Sequence, residues 1–287
     1  MTHADHVALL GTKGGPAIRP GSAMPTASLL VLGGRRIVID CGLGVARGLT
    51  LQGMALADLD LVFITHLHSD HYLELGPLLH TAWTAGLKNK VRVFGPPGLG
   101  DYWSHFVRSM QFDIDLRIED EGRPDLRSLV SITEIGEGSI FDEPGLRVEA
   151  MRNVHPPIAD SFALAFHGNG RKVVFSGDTA PVPQIVEFAA GADLLIHEAM
   201  LEQAVDALVA RVGNTDGRLK RHLMRSHSLA PEVGRMATAA GVRALAINHL
   251  IPADDPNFTV QDWKNAIQLN WNGPLHVGSD GLRITLA

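Results

Sequence analysis

Three features are scarce in this chain of 287 residues, and each scarcity excludes a class of protein. Cysteine occurs once, at Cys41, which excludes an intrachain disulfide and a cysteine-based zinc cluster. No apolar run approaches the roughly 18 residues that a transmembrane helix needs. The 25 Lys and Arg are outnumbered by 31 Asp and Glu, and the resulting net charge of −6 argues against a broad basic surface for nucleic acid.

What the chain contains favours a folded globular protein. Hydrophobic residues make up 45% and charged residues 20%, a balance typical of a well-filled core. The polar start from Met1 to His6 lacks the basic-then-apolar order of a secretory signal, so we expect a cytoplasmic protein. Since no repeat or low-complexity linker divides the sequence, we expect one domain over residues 1–287.

The apolar pattern alternates between strands and helices. Ala27–Leu32 and Arg35–Asp40 flank a Gly-Gly pair and predict a hairpin, and Leu61–Thr65 predicts a buried strand. Further predicted strands and helices, from Leu73 onward, are Leu73–Ala85 (helix), Val91–Phe94, Asp101–Gln111 (helix), Leu146–Arg152, Phe162–Phe166, Lys172–Ser176, Gln184–Ala190 (helix), Leu194–Ile196, Ala230–Ala240 (helix) and Leu245–Ile247. We therefore predict an α/β fold in which two mixed sheets face each other with helices outside.

Histidine is abundant, with 14 residues, and three of them crowd into His66-Leu67-His68-Ser69-Asp70-His71. This segment follows an apolar strand and precedes a helix. In extended backbone His66 and His68 point the same way, so both can bind one ion, while Asp70 and His71 can reach a second. Neutral imidazole and carboxylate are the donors that a divalent cation requires, and the segment therefore predicts a metal site.

Four other polar residues share one placement, just after an apolar strand run. They are His155, Asp178 (in Ser-Gly-Asp-Thr), His197 and His249. Because the loops of an α/β sheet converge where its strands end, we expect these side chains to meet at one edge of the sheet.

The chain resembles the metallo-β-lactamase superfamily, through His66-x-His68-x-Asp70-His71 followed in order by His155, Asp178 and His249. Within that superfamily it is most similar to the ribonuclease Z and arylsulfatase-like branch, through Asp40-Cys41-Gly42, His197-Glu198 and Ser226-His227-Ser228. The resemblance implies an αββα sandwich with two divalent metal ions at its edge. Zinc is the first expectation, and manganese or iron also suits these donors.

The resemblance also implies the role of each donor. The first ion would be held by His66, His68 and His155, the second by Asp70, His71 and His249, and Asp178 would bridge both. A hydroxide shared by the two ions would attack the substrate, at a centre where Asp70 is also a candidate catalytic residue.

Other residues near these donors receive supporting roles. His227 is the candidate proton donor, working with Glu198, although capping of the following helix is the alternative. Asp40 is expected to orient a liganding histidine, and His197 to be a buried, hydrogen-bonded residue. His222 has no partner in sequence and is interpreted as an ordinary helix histidine. The glycine-rich segment Gly11–Gly15 lacks a phosphate-loop pattern and is interpreted as a loop near the site.

The expected substrate class depends on an RNA-binding arm that ribonuclease Z proteins have and this chain lacks. Ribonuclease Z proteins grip transfer RNA with a long arm between the positions of His155 and Asp178, where this chain has 22 residues. We therefore expect a small-molecule substrate with an ester-type bond, such as a phosphodiester or aryl sulfate, and not nucleic acid or a membrane. Homodimers are common in the family, and the sequence leaves the oligomeric state open.

Three alternatives stay open. The first is a lactonase or β-lactam hydrolase, the second a ribonuclease Z-type transfer RNA 3′ endonuclease, and the third a metal-binding protein without catalysis. The acidic segment of residues 113–125 could be a lid, a partner surface or a solvated loop.

Overall fold

A computed structural model of the protein describes residues 4–213 and 216–286, so the first half of the polar N-terminal segment discussed above lies outside the described residues. Within them, two seven-stranded mixed sheets pack face to face with helices on both outer sides. This αββα sandwich confirms the fold predicted from the sequence. No described helix is long and apolar enough to cross a membrane.

The first sheet has the strand order β14-β1-β2-β3-β4-β5-β6. Its strands are β1 (His6–Gly11), β2 (Ala27–Leu32), β3 (Arg35–Cys41), β4 (Leu61–Phe63), β5 (Val91–Gly95), β6 (Val130–Glu134) and β14 (Leu282–Thr285). The strands pair antiparallel from β14 to β3 and parallel from β3 to β6. The predicted hairpin is confirmed as β2 and β3, and Gly33 and Gly34 both take the positive φ that its tight turn requires.

The second sheet has the order β13-β12-β11-β10-β9-β8-β7. Its strands are β7 (Gly138–Glu143), β8 (Leu146–Arg152), β9 (Phe162–Gly168), β10 (Arg171–Phe175), β11 (Leu194–Met200), β12 (Leu245–Ile251) and β13 (Leu275–Val277). The strands pair antiparallel from β7 to β10 and parallel from β10 to β13.

The core between the sheets is apolar, with six phenylalanines among mostly aliphatic side chains. Phe63 of β4 and Phe166 of β9 are fully buried, and their rings meet edge to face with centroids 5.3 Å apart. The other faces of both sheets are also buried, under helices, which explains why β1 and β2 are buried along their whole length.

The helices are α1 (Val45–Leu51), α2 (Ser69–Tyr72), α3 (Leu75–Thr84), α4 (Leu99–Ser109), α5 (Gln111–Glu121), α6 (Leu126–Leu129), α7 (Pro183–Phe188), α8 (Glu202–Val212), α9 (Arg218–Ser226), α10 (Ala230–Ala240) and α11 (Val260–Gln268). Helix α10 has the bounds predicted for it. Among the helices that were not anticipated, α5 and α9 are rich in charged residues, which weaken their apolar periodicity. In α5 the ion pairs of Arg117 with Asp113 (3.0 Å) and Glu121 (2.8 Å) support the helix one turn away in each direction.

Candidate metal centre

Donor side chains from both sheets meet at one edge of the sandwich. The segment His66–His71 leaves the end of β4, His155 follows β8, Asp178 follows β10, and His249 lies within β12. All seven predicted donors are buried or partly buried, and each comes within reach of at least two others. The structure thus brings together the residues that the sequence singled out, while their role as ligands stays a prediction.

The first group of donors converges on one point. The Nε2 atom of His66 lies 3.1 Å from Nδ1 of His68, and Nε2 of His155 lies 2.9 Å from the same atom. Two nitrogens bound at about 2.0–2.1 Å to a tetrahedral ion would be about 3.3 Å apart, close to these separations. Three imidazoles aimed at a common centre, with Asp178 beside them, therefore fit a divalent cation.

The second group is made of Asp70, His71 and His249. Nε2 of His249 lies 3.2 Å from Oδ2 of Asp70, and Nε2 of His71 lies 3.7 Å from the same oxygen. His71 Nε2 is buried and has no hydrogen-bond partner among the described residues, an expensive state for a polar atom unless a ligand completes it. These donors fit a second cation.

One oxygen of Asp178 links the two groups. Its Oδ2 atom lies 3.7 Å from His66 and 3.8 Å from His155 in the first group, and 3.4 Å from His71 and 3.1 Å from His249 in the second. No other carboxylate of the described residues approaches donors of both groups so evenly. This position is the one that a bridging ligand requires.

Hydrogen bonds behind the donors fix the orientation of the rings. Nδ1 of His71 donates to Asp40 Oδ2 (2.8 Å), and Nδ1 of His155 donates to the carbonyl oxygen of Ser226 (2.9 Å). Each bond turns the Nε2 atom of its ring toward the centre. Asp40 thus holds a candidate ligand, as expected from the sequence, and it also accepts a bond from the amide of Thr65 (2.8 Å).

The backbone is strained where it presents two of these residues. Asp40 and His249 have φ angles of +60° and +44°, a region that residues with a side chain rarely occupy. Gly14 packs against the ring of His249, where an added Cβ would lie 2.9 Å from a ring carbon. The amide of Gly15 donates to Asp70 (2.8 Å), so the glycine-rich loop supports the second group.

The electrostatics favour neutral imidazoles in the first group and a charged carboxylate in the second. Burial lowers the pKa of His66 well below its usual value and that of His155 to about 4, so both are neutral and able to bind a cation. Burial alone would raise the pKa of Asp70, but His71 and the hydrogen bond from His249 hold it well below its usual range. The second group therefore offers a charged carboxylate at neutral pH.

His227 and Glu198 form a buried pair next to the donors. Nδ1 of His227 lies 3.0 Å and 3.1 Å from the two carboxylate oxygens of Glu198, which also accepts a bond from the amide of Thr179 (2.8 Å). Burial, followed by the charge of Asp178, raises the pKa of Glu198, and burial lowers that of His227. The side-chain partner of His227 is thus a carboxylate, as expected for the predicted proton donor.

His197 occupies a position behind this pair. It is fully buried, its Nδ1 donates to the carbonyl of Glu198 (2.7 Å), and burial lowers its pKa to about 4. A buried, hydrogen-bonded histidine was the sequence-based interpretation. The group of Asp178, His227 and His249 also satisfies the spacing of a metal site, but the bond to Glu198 gives His227 a partner of its own.

A pocket of about 350 Å³ opens above the donors. One wall consists of the inner faces of α8 and α9, with Leu208, Leu219 and Leu223, and the other contains Lys13 and Arg19. A volume in this range is typical of small-ligand sites. The floor of the pocket includes His68, Asp70, Asp178 and His249, so a molecule in it would touch both groups of donors.

The sequence analysis did not place two residues, His222 and Lys13, at the pocket. The ring of His222 lies 6.0 to 6.2 Å from those of His68, His155 and His227, so its interpretation as an ordinary helix histidine is incomplete. Its position four residues before Ser226-His227 was the available signal, but α9 was not predicted. Lys13 is 4% exposed and donates to the carbonyl of Gly14 (2.9 Å); no periodicity marked it.

The sandwich and the histidine and aspartate groups at its edge define the class: a metal-dependent hydrolase of the metallo-β-lactamase superfamily. Among solved structures the chain is similar to human tRNase Z, short form (TM-score 0.69, 22% identity, 98% of this chain and 99% of that one). It is equally similar to the metallo-β-lactamase fold protein YhfI from Bacillus subtilis (TM-score 0.69, 20% identity, 98% and 99%).

The sequence comparisons give the family. The chain belongs to the family described as Anti-Pycsar protein Apyc1, which it matches over residues 3–248, and it is closely related to ribonuclease Z. It is 30% identical to ribonuclease Z of Mycobacterium bovis (strain BCG / Pasteur 1173P2) over 281 residues, covering 97% of both chains. It is 31% identical to ribonuclease Z of Mycobacterium sp. (strain KMS) over 283 residues, covering 97% of this chain and 95% of the relative.

These relatives contradict one expectation from the sequence. The prediction that nucleic acid is not a partner is wrong, since the relatives along the whole chain are ribonucleases. Net charge misled because it averages over the whole surface and does not report a local basic patch. The absence of the arm was also a weak argument, because it excludes only one possible RNA-binding surface.

Proposed function

We propose that this protein is a two-metal phosphodiesterase whose substrate is RNA. The observation that supports the proposal best is the position of Asp178 Oδ2, within 3.8 Å of nitrogen donors in both groups. Two-ion sites of this kind act on phosphoryl groups by holding the attacking and leaving oxygens in line.

His66, His68 and His155 would hold one ion, Asp70, His71 and His249 the other, and Asp178 both. Zinc suits these nitrogen and carboxylate donors best, and manganese or iron is the alternative. When bound, such ions supply Lewis-acid activation of water and of the phosphoryl oxygen. The chain's own part is to aim the donors, through Asp40 and the Ser226 carbonyl, and to keep His66 and His155 neutral.

His227 would complete the reaction as the proton donor. Hydrolysis forms a bond from the water oxygen to phosphorus and breaks the bond from phosphorus to the leaving oxygen, which then needs a proton. Burial raises the pKa of Glu198, so its carboxyl can hold a proton next to Nδ1 of His227. As that proton passes to Nδ1, the Nε2 atom of His227 would release its own proton to the leaving oxygen at the pocket floor. The water's own protons pass to solvent or to the carboxylate of Asp70. Glu198 is a positioning residue.

RNA is the first candidate substrate because the relatives named ribonuclease Z match 97% of the chain at 30–31% identity. A small phosphodiester is a second candidate, and a specific observation favours it. The 22 residues between His155 and Asp178 form only the β9–β10 hairpin, whereas the pocket of about 350 Å³ suits a ligand of nucleotide size.

The test is a panel of substrates on one preparation whose metal content has been measured. We expect two metal ions per chain, and hydrolysis of a precursor transfer RNA and of bis(p-nitrophenyl) phosphate. Cleavage of the nitrophenyl diester without cleavage of RNA would favour the small-molecule candidate. Preference for an aryl sulfate, a lactone or nitrocefin over both phosphodiesters would contradict the proposal, and metal binding without any hydrolysis would indicate a non-catalytic protein.

A further inference from the structure

Helix α9 has two faces of opposite character beside the candidate metal centre. Its inner face carries Leu219, His222 and Leu223, which line the pocket. Its outer face carries four exposed cations: Arg218, Lys220, Arg221 and Arg225. Such a density of positive charge stands out in a chain with net charge −6 and requires an explanation.

Three of these cations form a stripe. At 3.6 residues per turn, Arg218, Arg221 and Arg225 fall within an arc of about 60° and extend over about 10 Å. On the same wheel His222 lies about 40° from Arg218, so the stripe borders the side of α9 that faces the donors. Lys220 falls on the opposite flank and pairs with Asp206 of α8 (2.5 Å).

Contacts within the site support this placement. The ring of His222 lies 6.2 Å from that of His68 and 6.1 Å from that of His155, both in the first group of donors. Burial, then His227, then the charge of Arg225 lower the pKa of His222. The stripe therefore lies next to the pocket-lining residues of the same helix, Leu219, His222 and Leu223.

Two of the three arginines in the stripe have no carboxylate partner in an ion pair within the part of the chain that the structure describes. Arg19, on the opposite wall, and Arg211, in the last turn of α8, both pair with Asp254 at 3.1 Å. Arg218 pairs with Asp216 (2.5 Å), but Arg221 and Arg225 form no ion pair with any described residue. Two unpaired guanidinium groups, with a third at the end of the row, are suited to phosphate groups in a row.

We propose that the Arg218–Arg221–Arg225 stripe of α9 binds the phosphate backbone of an RNA strand and guides it to the metal centre. The stripe presents its three guanidinium groups over about 10 Å, so they can contact successive phosphates of one strand. The inference rests on the proposed phosphodiesterase function for its substrate class. It assigns to α9 a task that needs no arm between His155 and Asp178.

The test compares the double variant R221Q/R225Q with a matched control, R47Q/R108Q. The control removes two exposed arginines from α1 and α4, which pack against the first sheet, so both variants change the net charge equally. kcat/KM is measured for a precursor transfer RNA and for bis(p-nitrophenyl) phosphate. Affinity for a short 2′-O-methyl RNA is measured by fluorescence anisotropy across salt concentrations, a readout that needs no turnover.

For R221Q/R225Q we expect RNA affinity and kcat/KM on RNA to fall about tenfold at low salt, and the slope of log affinity against log salt to shrink by about 1.4. Hydrolysis of the nitrophenyl diester should not change, nor should any property of the control. Equal losses on both substrates, equal losses in the control, or RNA binding that does not respond to the variant would each overturn the proposal. If the wild type binds RNA through α9 but hydrolyses neither phosphodiester, the proposed function fails and this inference survives.

Discussion

The floor and the wall of the pocket differ in almost every physical respect. The floor consists of imidazoles and carboxylates that are largely buried, interlinked at distances of 2.9–3.8 Å and presented by strand ends of both sheets. The wall consists of α8 and α9, whose inner side is apolar and whose outer side is charged. The floor is therefore part of the buried sandwich, whereas the wall consists of helices that pack on its outside.

This contrast separates chemistry from substrate choice. Orienting bonds such as that from His71 to Asp40 leave the floor little freedom, as is required of groups that must act together on one phosphorus atom. The wall touches the floor through His222, His227 and the carbonyl oxygen of Ser226, which orients His155. The other residues of the wall can therefore vary without displacing a donor. Variants of the floor should therefore abolish the reaction, and variants of the wall should change which substrate reacts.

The largest effect is expected from Asp178→Ala, which removes the oxygen shared by both groups of donors. Metal content, measured by mass spectrometry, should fall for both ions, and kcat/KM should drop well beyond the roughly 100-fold that loss of a ligand's hydrogen-bond partner costs. Asp142→Ala, an exposed position on β7, is the control. Full occupancy in Asp178→Ala would contradict the bridging position on which the floor depends.

An intermediate effect is expected from His227→Ala, at the boundary of floor and wall. His227 bonds to Glu198 and belongs to neither the first nor the second group of donors. Both metal ions should therefore remain bound in the variant. Turnover of RNA should fall about 10²–10⁴-fold, the usual contribution of a proton donor. Nitrophenyl diesters should lose much less, since their leaving group needs no proton. His105→Ala on α4 is the control, and equal losses on all substrates would argue against proton donation.

Sequence reasoning singled out the residues that meet in the floor, because their types and spacing are unusual outside metal sites. Three histidines and an aspartate within six positions have few uses other than metal binding, and His155, Asp178 and His249 follow or lie in strands whose apolar runs are easy to detect. The two facing sheets were predictable for the same reason. The family resemblance, by contrast, was required to order the donors into two groups.

The position of the wall beside the pocket could not be predicted, because it depends on tertiary contacts and not on the local sequence. In α9, Leu219 and Leu223 are separated by charged residues, so the pattern reads as a solvated segment. His222 gains its importance only from tertiary contacts with rings more than 60 residues away in the chain. Net charge likewise does not report the exposed arginines of α9, because it is a single sum over the whole chain.

The smallest effect is expected from the apolar wall, in the double variant Leu208→Ala/Leu219→Ala. Both side chains line the pocket and are half-buried, so truncation removes contact with the apolar part of a substrate. Losing such contacts costs about 1–3 kcal/mol, which predicts a rise in KM of about tenfold for bis(p-nitrophenyl) phosphate. Metal content and kcat should stay unchanged, because neither residue touches a donor.

A smaller substrate makes this prediction specific to the wall. Methyl p-nitrophenyl phosphate presents the same scissile bond with one aromatic ring fewer, so its KM should rise less in the double variant. Leu116→Ala/Leu269→Ala, at exposed positions on α5 and beyond α11, controls for the loss of apolar surface itself. If kcat falls as much as KM rises, or if both substrates respond equally, the wall acts on the donors, and the division between floor and wall does not hold.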